Sequence, residues 1–219
     1  MAVVGGTGAL GIGLVRRLAR AGHAVTIGSR SAEKAEALAR ETNVALGSDL
    51  VRGATNADAA RSAAIVFVTV PFSSQSEILA EIRSGVRDKV VVDATVPLVP
   101  PRVARVQLPA EGSAAVIAQQ ILGDEVTVVS AFHNVSAHKL GQEGDVDCDV
   151  LVFGDVDEAC ERVVAIIDGL GLRGLRGGPL ANSAAAEAMT SVLISINRRY
   201  KVAGGAGICI SGALSRQTG

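Results

Sequence analysis

The sequence predicts an α/β fold: a doubly wound, Rossmann-type parallel sheet with a small C-terminal helical or α+β part. Three observations lead there. Short β-rich apolar runs alternate with amphipathic helical stretches along most of the chain. A glycine-rich turn follows the first run directly. Aromatic residues make up only 2% of the 219 residues, so the core has to be built from Val, Ile, Leu and Ala, as in parallel sheets covered by helices.

Residues 2–5 form a first short strand. Over residues 8–21, Leu10, Leu14, Val15 and Leu18 recur at helical spacing, with Arg16, Arg17 and Arg20 on the other face and Gly22 as a stop. Residues 24–28 read as a second strand, and Ser31 is an N-cap for a helix through about Glu41. Residues 43–63 are less patterned, with room for a short strand near Val51 and a short helix from Asn56. The apolar run 64–70 reads as a buried parallel strand, followed by a helix over 73–84 and a strand over 89–93. Val96-Pro97-Leu98-Val99-Pro100-Pro101 is a loop, since proline breaks both ladders. Helix 113–122, strands 126–131 and 150–153, and helix 156–168 complete the alternation. Asn182 is expected to cap a last helix with Met189, Val192, Leu193 and Ile196 on one apolar stripe, and a Gly-rich tail over 203–212 ends the pattern.

Composition narrows the classes of function. Hydrophobic residues reach 48% and mean hydropathy is +0.37, which argues against disorder. A net charge of −1 gives no electrostatic footprint for nucleic acid or an anionic membrane. No apolar run of about 18 residues escapes glycine or charge, so no membrane span is expected. The N-terminus lacks the pattern of a signal peptide, and Cys148, Cys160 and Cys209 have neither CxxC nor metal spacing. A cytoplasmic protein with reduced thiols and no metal is the expectation.

The strongest motif is Gly6-Thr7-Gly8-Ala9-Leu10-Gly11, which matches GxGxxG. Gly6 permits the tight turn, Gly8 lets backbone approach a pyrophosphate, and Gly11 lets the helix pack closely on the strand. Strand, turn, helix and second strand follow at βαβ distance, the context in which this weak motif means dinucleotide binding. After the second strand stands Gly28-Ser29-Arg30, with no carboxylate before Glu33. An NAD enzyme usually places an acidic residue there for the ribose 2′-OH. Arg30 can instead fork onto a 2′-phosphate, Ser29 can donate to it, and Lys34 adds a point charge, so NADP(H) is the expected cofactor; the bland reading makes Arg30 and Lys34 solvated surface charges.

Ligands in such sheets bind beyond the carboxyl ends of the strands. Thr69-Val70-Pro71-Phe72, Thr95-Val96-Pro97-Leu98 and the segment from Phe132 through His133 and Val135 to Ala137 are placed there, the first two as apolar walls for the nicotinamide. Phe72 and Ser76, one helical turn apart, both have the option of facing the dinucleotide. The pocket is poor in carboxylates, which suits transfer between two redox rings, where stacking and alignment dominate. His133 either orients an acceptor ring or is satisfied by loop backbone; no certain catalytic residue is identified. Thr190 lies on the polar side of the last helix, and Arg198-Arg199-Tyr200-Lys201 is either an anion site or a solvated helix end.

Together with Thr69-Val70-Pro71, Ser130-Ala131-Phe132-His133-Asn134-Val135, Gly154-Asp155-Val156-Asp157 and Gly178-Pro179-Leu180-Ala181-Asn182-Ser183, the glycine turn and the Ser29-Arg30 pair resemble the NADP-dependent oxidoreductases of the deazaflavin coenzyme F420, nearly end to end. The resemblance implies reversible hydride transfer between C4 of the nicotinamide and C5 of the deazaflavin. It also implies an NADP-binding domain over 1–145, a small domain over 146–219 that completes the deazaflavin cleft, and a homodimer. By position, Thr7, Gly8, Ala9, Leu10, Ser29, Arg30, Lys34, Phe72, Ser76, Leu98 and Ala137 would contact NADP, while His133, Val135 and Thr190 would lie by the deazaflavin. The tail 214–219 has no counterpart in this pattern. Two other readings remain at this point: an NADPH-dependent reductase of another small acceptor (an imine, quinone, flavin or metal chelate), and a non-catalytic NADP sensor.

Overall fold

The structure, a computed structural model, describes residues 1–142, 144 and 146–212. The tail 214–219 and residue 145, the end of the expected N-terminal domain, lie outside the described residues. Six strands, β1 (Ala2–Val4), β2 (Val25–Ser29), β3 (Val51–Thr55), β4 (Ile65–Val68), β5 (Val90–Asp93) and β6 (Thr127–Ser130), form one parallel sheet in the order β3-β2-β1-β4-β5-β6. Between them run α1 (Ala9–Arg20), α2 (Ala32–Leu46), α3 (Asn56–Arg61), α4 (Phe72–Ile82) and α5 (Ala114–Leu122). The chain then adds α6 (Ala137–Gly141), β7 (Asp149–Val152), α7 (Asp157–Gly169), β8 (Arg173–Arg176) and α8 (Ser183–Tyr200). Strands β7 and β8 pair parallel as a separate ribbon, and an antiparallel bridge from Ser130 to Phe153 hangs it on the edge of β6.

Period-two alternation puts half of each strand on either face. Val3, Phe67, Val92 and Val129 point to one side, where Leu14, Val15 and Leu18 of α1 cover them. Ala2, Val4, Val66, Val68, Val91 and Val128 point to the other, under Ala59, Ile78, Leu79, Ala115 and Leu122. Both faces are buried, as a parallel sheet requires. The first core continues into Val150, Val152, Val163 and Ile167, so the C-terminal segment packs on the same apolar cluster as β1 and α1.

Five features depart from the sequence expectation. Arg17 does not share the exposed face of α1: it is only 7% exposed, and its guanidinium donates to the carbonyls of Leu140 at 2.8 Å and of Leu170, Gln142 and Gly144 at 3.0 Å. Those carbonyls end α6 and α7, where a cation is favoured by the helix dipoles. Helix α6 and strand β8 were not expected. Five residues of α6 carry no periodicity, and Arg-Gly-Leu-Arg lacks a strand's apolar alternation, being held instead by a bidentate pair from Arg173 to Asp149 at 2.6 and 2.8 Å. Asn182 stands at the N-cap position of α8 but makes no side-chain cap bond: it ends a single 3-10 turn (Leu180–Asn182), and its amide donates to Gly177 O at 2.9 Å. Of the expected α8 stripe only Leu193 is buried, while Met189 and Val192 face outward. Among the described residues no helix is long and apolar enough to cross a membrane.

One close approach generates a stability prediction. Gly53 in β3 lies against α2 so tightly that an added Cβ would fall among the backbone atoms of Ala35 and Glu36. Gly53→Ala is expected to cost roughly 2–3 kcal/mol of overpacking, seen as a lowered urea midpoint; an unchanged midpoint would show that α2 is free to move.

Candidate functional site

The site begins at the turn between β1 and α1. Gly6 N–H donates to Gly28 O at 3.0 Å and to Val3 O at 3.2 Å, which fastens the turn between β1 and β2. A Cβ on Gly11 would sit 2.6 Å from Gly6 Cα and 2.8 Å from both Gly5 O and Thr69 Oγ1, so only glycine lets α1 start this close to the sheet. A Cβ on Gly8 would meet nothing nearer than Gly5 O at 3.4 Å, leaving an open approach. Gly8 is the N-cap of α1, with no side-chain cap and no acidic residue in the first turn. The first-turn N–H groups of α1, over Ala9, Leu10 and Gly11, therefore lack intrahelical partners at the positive end of the helix. That is the chemistry of a phosphate site.

A cavity of about 290 Å³ opens in front of this turn. Of the residues expected from sequence, Thr7, Gly8, Ser29, Arg30, Lys34, Thr69, Val70 and Pro71 line it. Arg30 and Lys34 are exposed on its rim, and among the described residues neither side chain has a recorded partner. Glu33, the nearest carboxylate in sequence, is tied to Ser31, whose hydroxyl donates to it at 2.8 Å and accepts from Lys34 N–H at 3.2 Å. Ser29 is buried, and its hydroxyl accepts from Ser31 N–H at 3.3 Å. The rim thus offers two free cations and ordered hydroxyls, a fit for a phosphate monoester. Among the described residues no cluster of metal-binding side chains occurs.

Gly5, Ser31, Asn56, Ser74 and Ile78 line the same cavity and were not singled out by sequence. Asn56, 2% exposed at the end of β3, accepts from Gly5 N–H at 3.3 Å and braces the turn from behind. On α4 the lining face carries Ser74 and Ile78; Phe72 and Ser76 sit about 200° round the helix, with Ser76 exposed, so this pair does not line this cavity. The helix is turned by its apolar positions Ile78, Leu79 and Ile82, which seek the core.

The remaining expected residues collect at the next strand ends. Strands β4, β5 and β6 are neighbours, so Thr69-Val70-Pro71, Val96-Pro97-Leu98 and the loop His133–Ala137 lie in series beyond their carboxyl ends, roughly 5 Å apart per strand. Thr69 is fixed by its hydroxyl, which donates to Val4 O at 3.0 Å. Pro97 is buried inside a tight turn closed by Leu98 N–H to Val96 O at 2.7 Å. Phe132 turns the chain with φ of 69°, its ring edge-on to Phe67 at 6.2 Å. His133 follows, 5% exposed, with Nε2 3.2 Å from Ser130 Oγ and Nδ1 buried without a partner. Val135 is buried and Ala137 half-buried. Thr190 does meet His133: its hydroxyl donates to His133 O at 2.8 Å, and Asn134 donates to Ala186 O at 2.8 Å. Helix α8 thereby holds the loop as a second wall. Arg198, Arg199 and Tyr200 end α8 exposed, with Lys201 as its left-handed cap.

Titration follows burial. Burial pulls the His133 imidazole down to about 4 and pushes Asp93 up to about 6 and Glu187 up to about 7. His133 is therefore neutral at pH 7. Between its folded value of about 4 and the unfolded value near 6.5, the unfolded chain binds more protons at this residue, so its contribution makes stability fall as pH drops through that window. An NMR titration of the ring carbons is expected to find His133 unprotonated down to pH 5 or so, with an apparent midpoint near 4; a midpoint near 6.5 would show that the ring is solvated.

Comparison with known proteins agrees with this geometry. A family described as NADP oxidoreductase, coenzyme F420-dependent, matches residues 1–97. The F420-dependent NADP reductase of Methanothermobacter thermautotrophicus is 43% identical over 92% of this chain and 90% of its own length. That of Methanocaldococcus jannaschii is 36% identical over 93% of this chain and 95% of its own. A crystal structure from Arthrobacter sp. FB24, provisionally described as an F420-dependent NADP reductase, superposes with a TM-score of 0.77 at 25% identity, covering 95% of this chain and 98% of that one. With such identity sustained across more than nine-tenths of its residues, the chain belongs to the family of F420-dependent NADP reductases.

Proposed function

We propose that this chain transfers a hydride between NADP(H) and the deazaflavin coenzyme F420. One observation carries the reading: a helix N-terminus bare of caps and acids opens on the same cavity as two unpaired cations, in a chain of this family. Bound NADPH supplies a hydride from C4, which the deazaflavin takes at C5 with one proton from solvent. The reaction runs without a covalent enzyme intermediate, so the residues bind, orient and exclude water.

The N–H groups of Thr7 and of Ala9 to Gly11 hold the pyrophosphate, with Gly8 giving it room. Ser29, Arg30 and Lys34 hold the 2′-phosphate. Thr69, Val70, Pro71, Val96, Pro97 and Leu98 shelter the nicotinamide, and Ala137 borders it. His133, Val135 and Thr190 form the deazaflavin side. When the Ser130 hydroxyl donates to His133 Nε2, the ring proton sits on Nδ1, a buried donor with no protein partner. In this reading residues 1–145 carry the NADP and 146–219 complete the acceptor cleft, although the two share one apolar cluster.

A homodimer belongs to the same proposal. Met189 and Val192 stand exposed on α8, and beside them a groove of about 530 Å³ is lined by Leu151, Phe153, Ile208 and Ile210. A cytoplasmic setting is supported by three unpaired cysteines, two of them buried, and an absence of nucleic-acid partners by the near-zero net charge.

Mixing the purified protein with NADPH and F420 is expected to bleach the deazaflavin's visible absorbance in step with loss of nicotinamide absorbance. Persistence of the deazaflavin band, with turnover of an imine or quinone instead, would move the chain to a different acceptor. Arg30→Ala is expected to weaken NADPH by roughly 1.5–3 kcal/mol and leave NADH nearly unchanged in calorimetry. Equal losses for the two cofactors would remove Arg30 from the 2′-phosphate.

A further inference from the structure

Helix α8 holds the acceptor-side loop, yet little apolar surface holds α8. The residues of its buried face are Ser183, Ala186, Glu187, Ser191 and Leu193, while Met189 and Val192 face away. Glu187 is 1% exposed, and its two carboxylate oxygens accept from Ala114 N–H at 2.7 Å and Ala115 N–H at 3.1 Å. These are the first N–H groups of the nine-residue α5, which has no acidic residue in its own first turn. Beside them the hydroxyls of Ser183 and Ser113 bond at 2.9 Å. The carboxylate of one helix thus completes the N-terminus of another.

The polar chain continues through α5. Ala114 O accepts from Gln75 Nε2 at 3.0 Å, and the same nitrogen donates to Asp93 Oδ2 at 2.7 Å. Asp93 Oδ1 in turn accepts from the Thr95 hydroxyl at 2.7 Å and from Thr95 N–H at 3.3 Å. Gln75 and Asp93 are fully buried, and Thr95 is 1% exposed. Two acceptors on Gln75 Nε2 fix its amide, which leaves Oε1 buried without a partner. Thr95 leads directly into Val96-Pro97-Leu98. At the other end, Thr190 lies one turn beyond Glu187 and bonds to His133 O. Hydrogen bonds joined through the backbone of Ala114, followed by one turn of α8 from Glu187 to Thr190, therefore connect the nicotinamide-side wall to the acceptor-side wall.

We propose that Glu187 is a positioning residue for hydride transfer: bound to the N-terminus of α5 and continued through Ala114, Gln75 and Asp93, it sets the separation between the 95–98 and 133–137 walls. The proposal rests on the reading that the two redox rings meet between those walls. A directional latch of this kind fixes register, which a face of Ser and Ala cannot do by dispersion alone. An unpaired carboxylate at that depth would be costly, so the latch holds only when both N–H groups are engaged.

The test is kinetic. Glu187→Gln keeps the volume but sets an amide N–H against a backbone N–H. Single-turnover reduction of F420 is expected to slow roughly 10- to 100-fold, the range for small misplacements of reacting atoms, while the NADPH dissociation constant stays within about two-fold. The deuterium isotope effect with 4-deuterated NADPH is expected to become more temperature-dependent, which a loss of stability alone does not produce. Asp93→Asn, at the far end of the chain and on neither helix, is expected to change that temperature dependence in the same sense. It provides the test if Glu187→Gln does not fold. Variants whose isotope effect matches the unsubstituted enzyme, or whose NADPH affinity falls in proportion to the rate, overturn the proposal. Failure of the functional reading looks different: the unsubstituted protein would leave F420 unreduced.

Discussion

The contact on which the rest depends is the approach of Gly11 to Gly6. Because nothing projects from Gly11, α1 begins against the sheet, and its first N–H groups open forward into the cavity with no side chain to cap them. The bond from Gly6 to Gly28 O ties that corner to β2, so the same constraint places Ser29 and Arg30 beside it. Asn56 braces the turn through Gly5. An anion-binding corner and a cation pair thus come from adjacent strands of one rigid sheet, which preorganises them without any ligand.

The acceptor side is built by different physics. There the walls are backbone and short polar side chains, and buried hydrogen bonds do the holding. Arg17 gathers the carbonyl ends of α6 and α7 from beneath, Thr190 and Asn134 fasten the His133 loop to α8, and Glu187 fastens α8 to α5. A neutral, buried His133 suits a reaction that needs alignment more than proton transfer. In the proposed reading one half recognises charge and the other sets distance.

How much of this was legible in the sequence follows the same division. The glycine turn, the missing acidic residue after β2 and the apolar runs are local signals, and they located β1, α1, β2, Arg30 and the successive strand ends. Even the weakly patterned stretch 43–63 yields β3 and α3 near the positions expected. The polar fastenings join residues as far apart as Arg17 and Leu170, separated by 153 positions, and no spacing records such a pair. Arg17 has a surface residue's place on a helical wheel but meets carbonyls that arrive from α6 and α7. Asn182 has the right type for a cap and stands at that position, yet its amide N–H donates to Gly177 O and its side chain makes no cap bond. Glu187 sits among alanines with nothing local to mark its partner. The rotation of α4, which turns Ser74 and Ile78 and not Phe72 and Ser76 to the cavity, is set by the core-seeking Ile78, Leu79 and Ile82 and has no local mark in the sequence.

The central claim is that the bare N-terminus of α1 receives the cofactor's phosphates. Backbone amide NMR of uniformly labelled protein tests it directly. On adding NADP, the N–H signals of Thr7 to Gly11 are expected to shift strongly and to exchange with solvent more slowly, while those of α7 stay in place. If the cofactor binds and those five amides keep their shifts and exchange rates, the phosphates lie elsewhere and the account is contradicted.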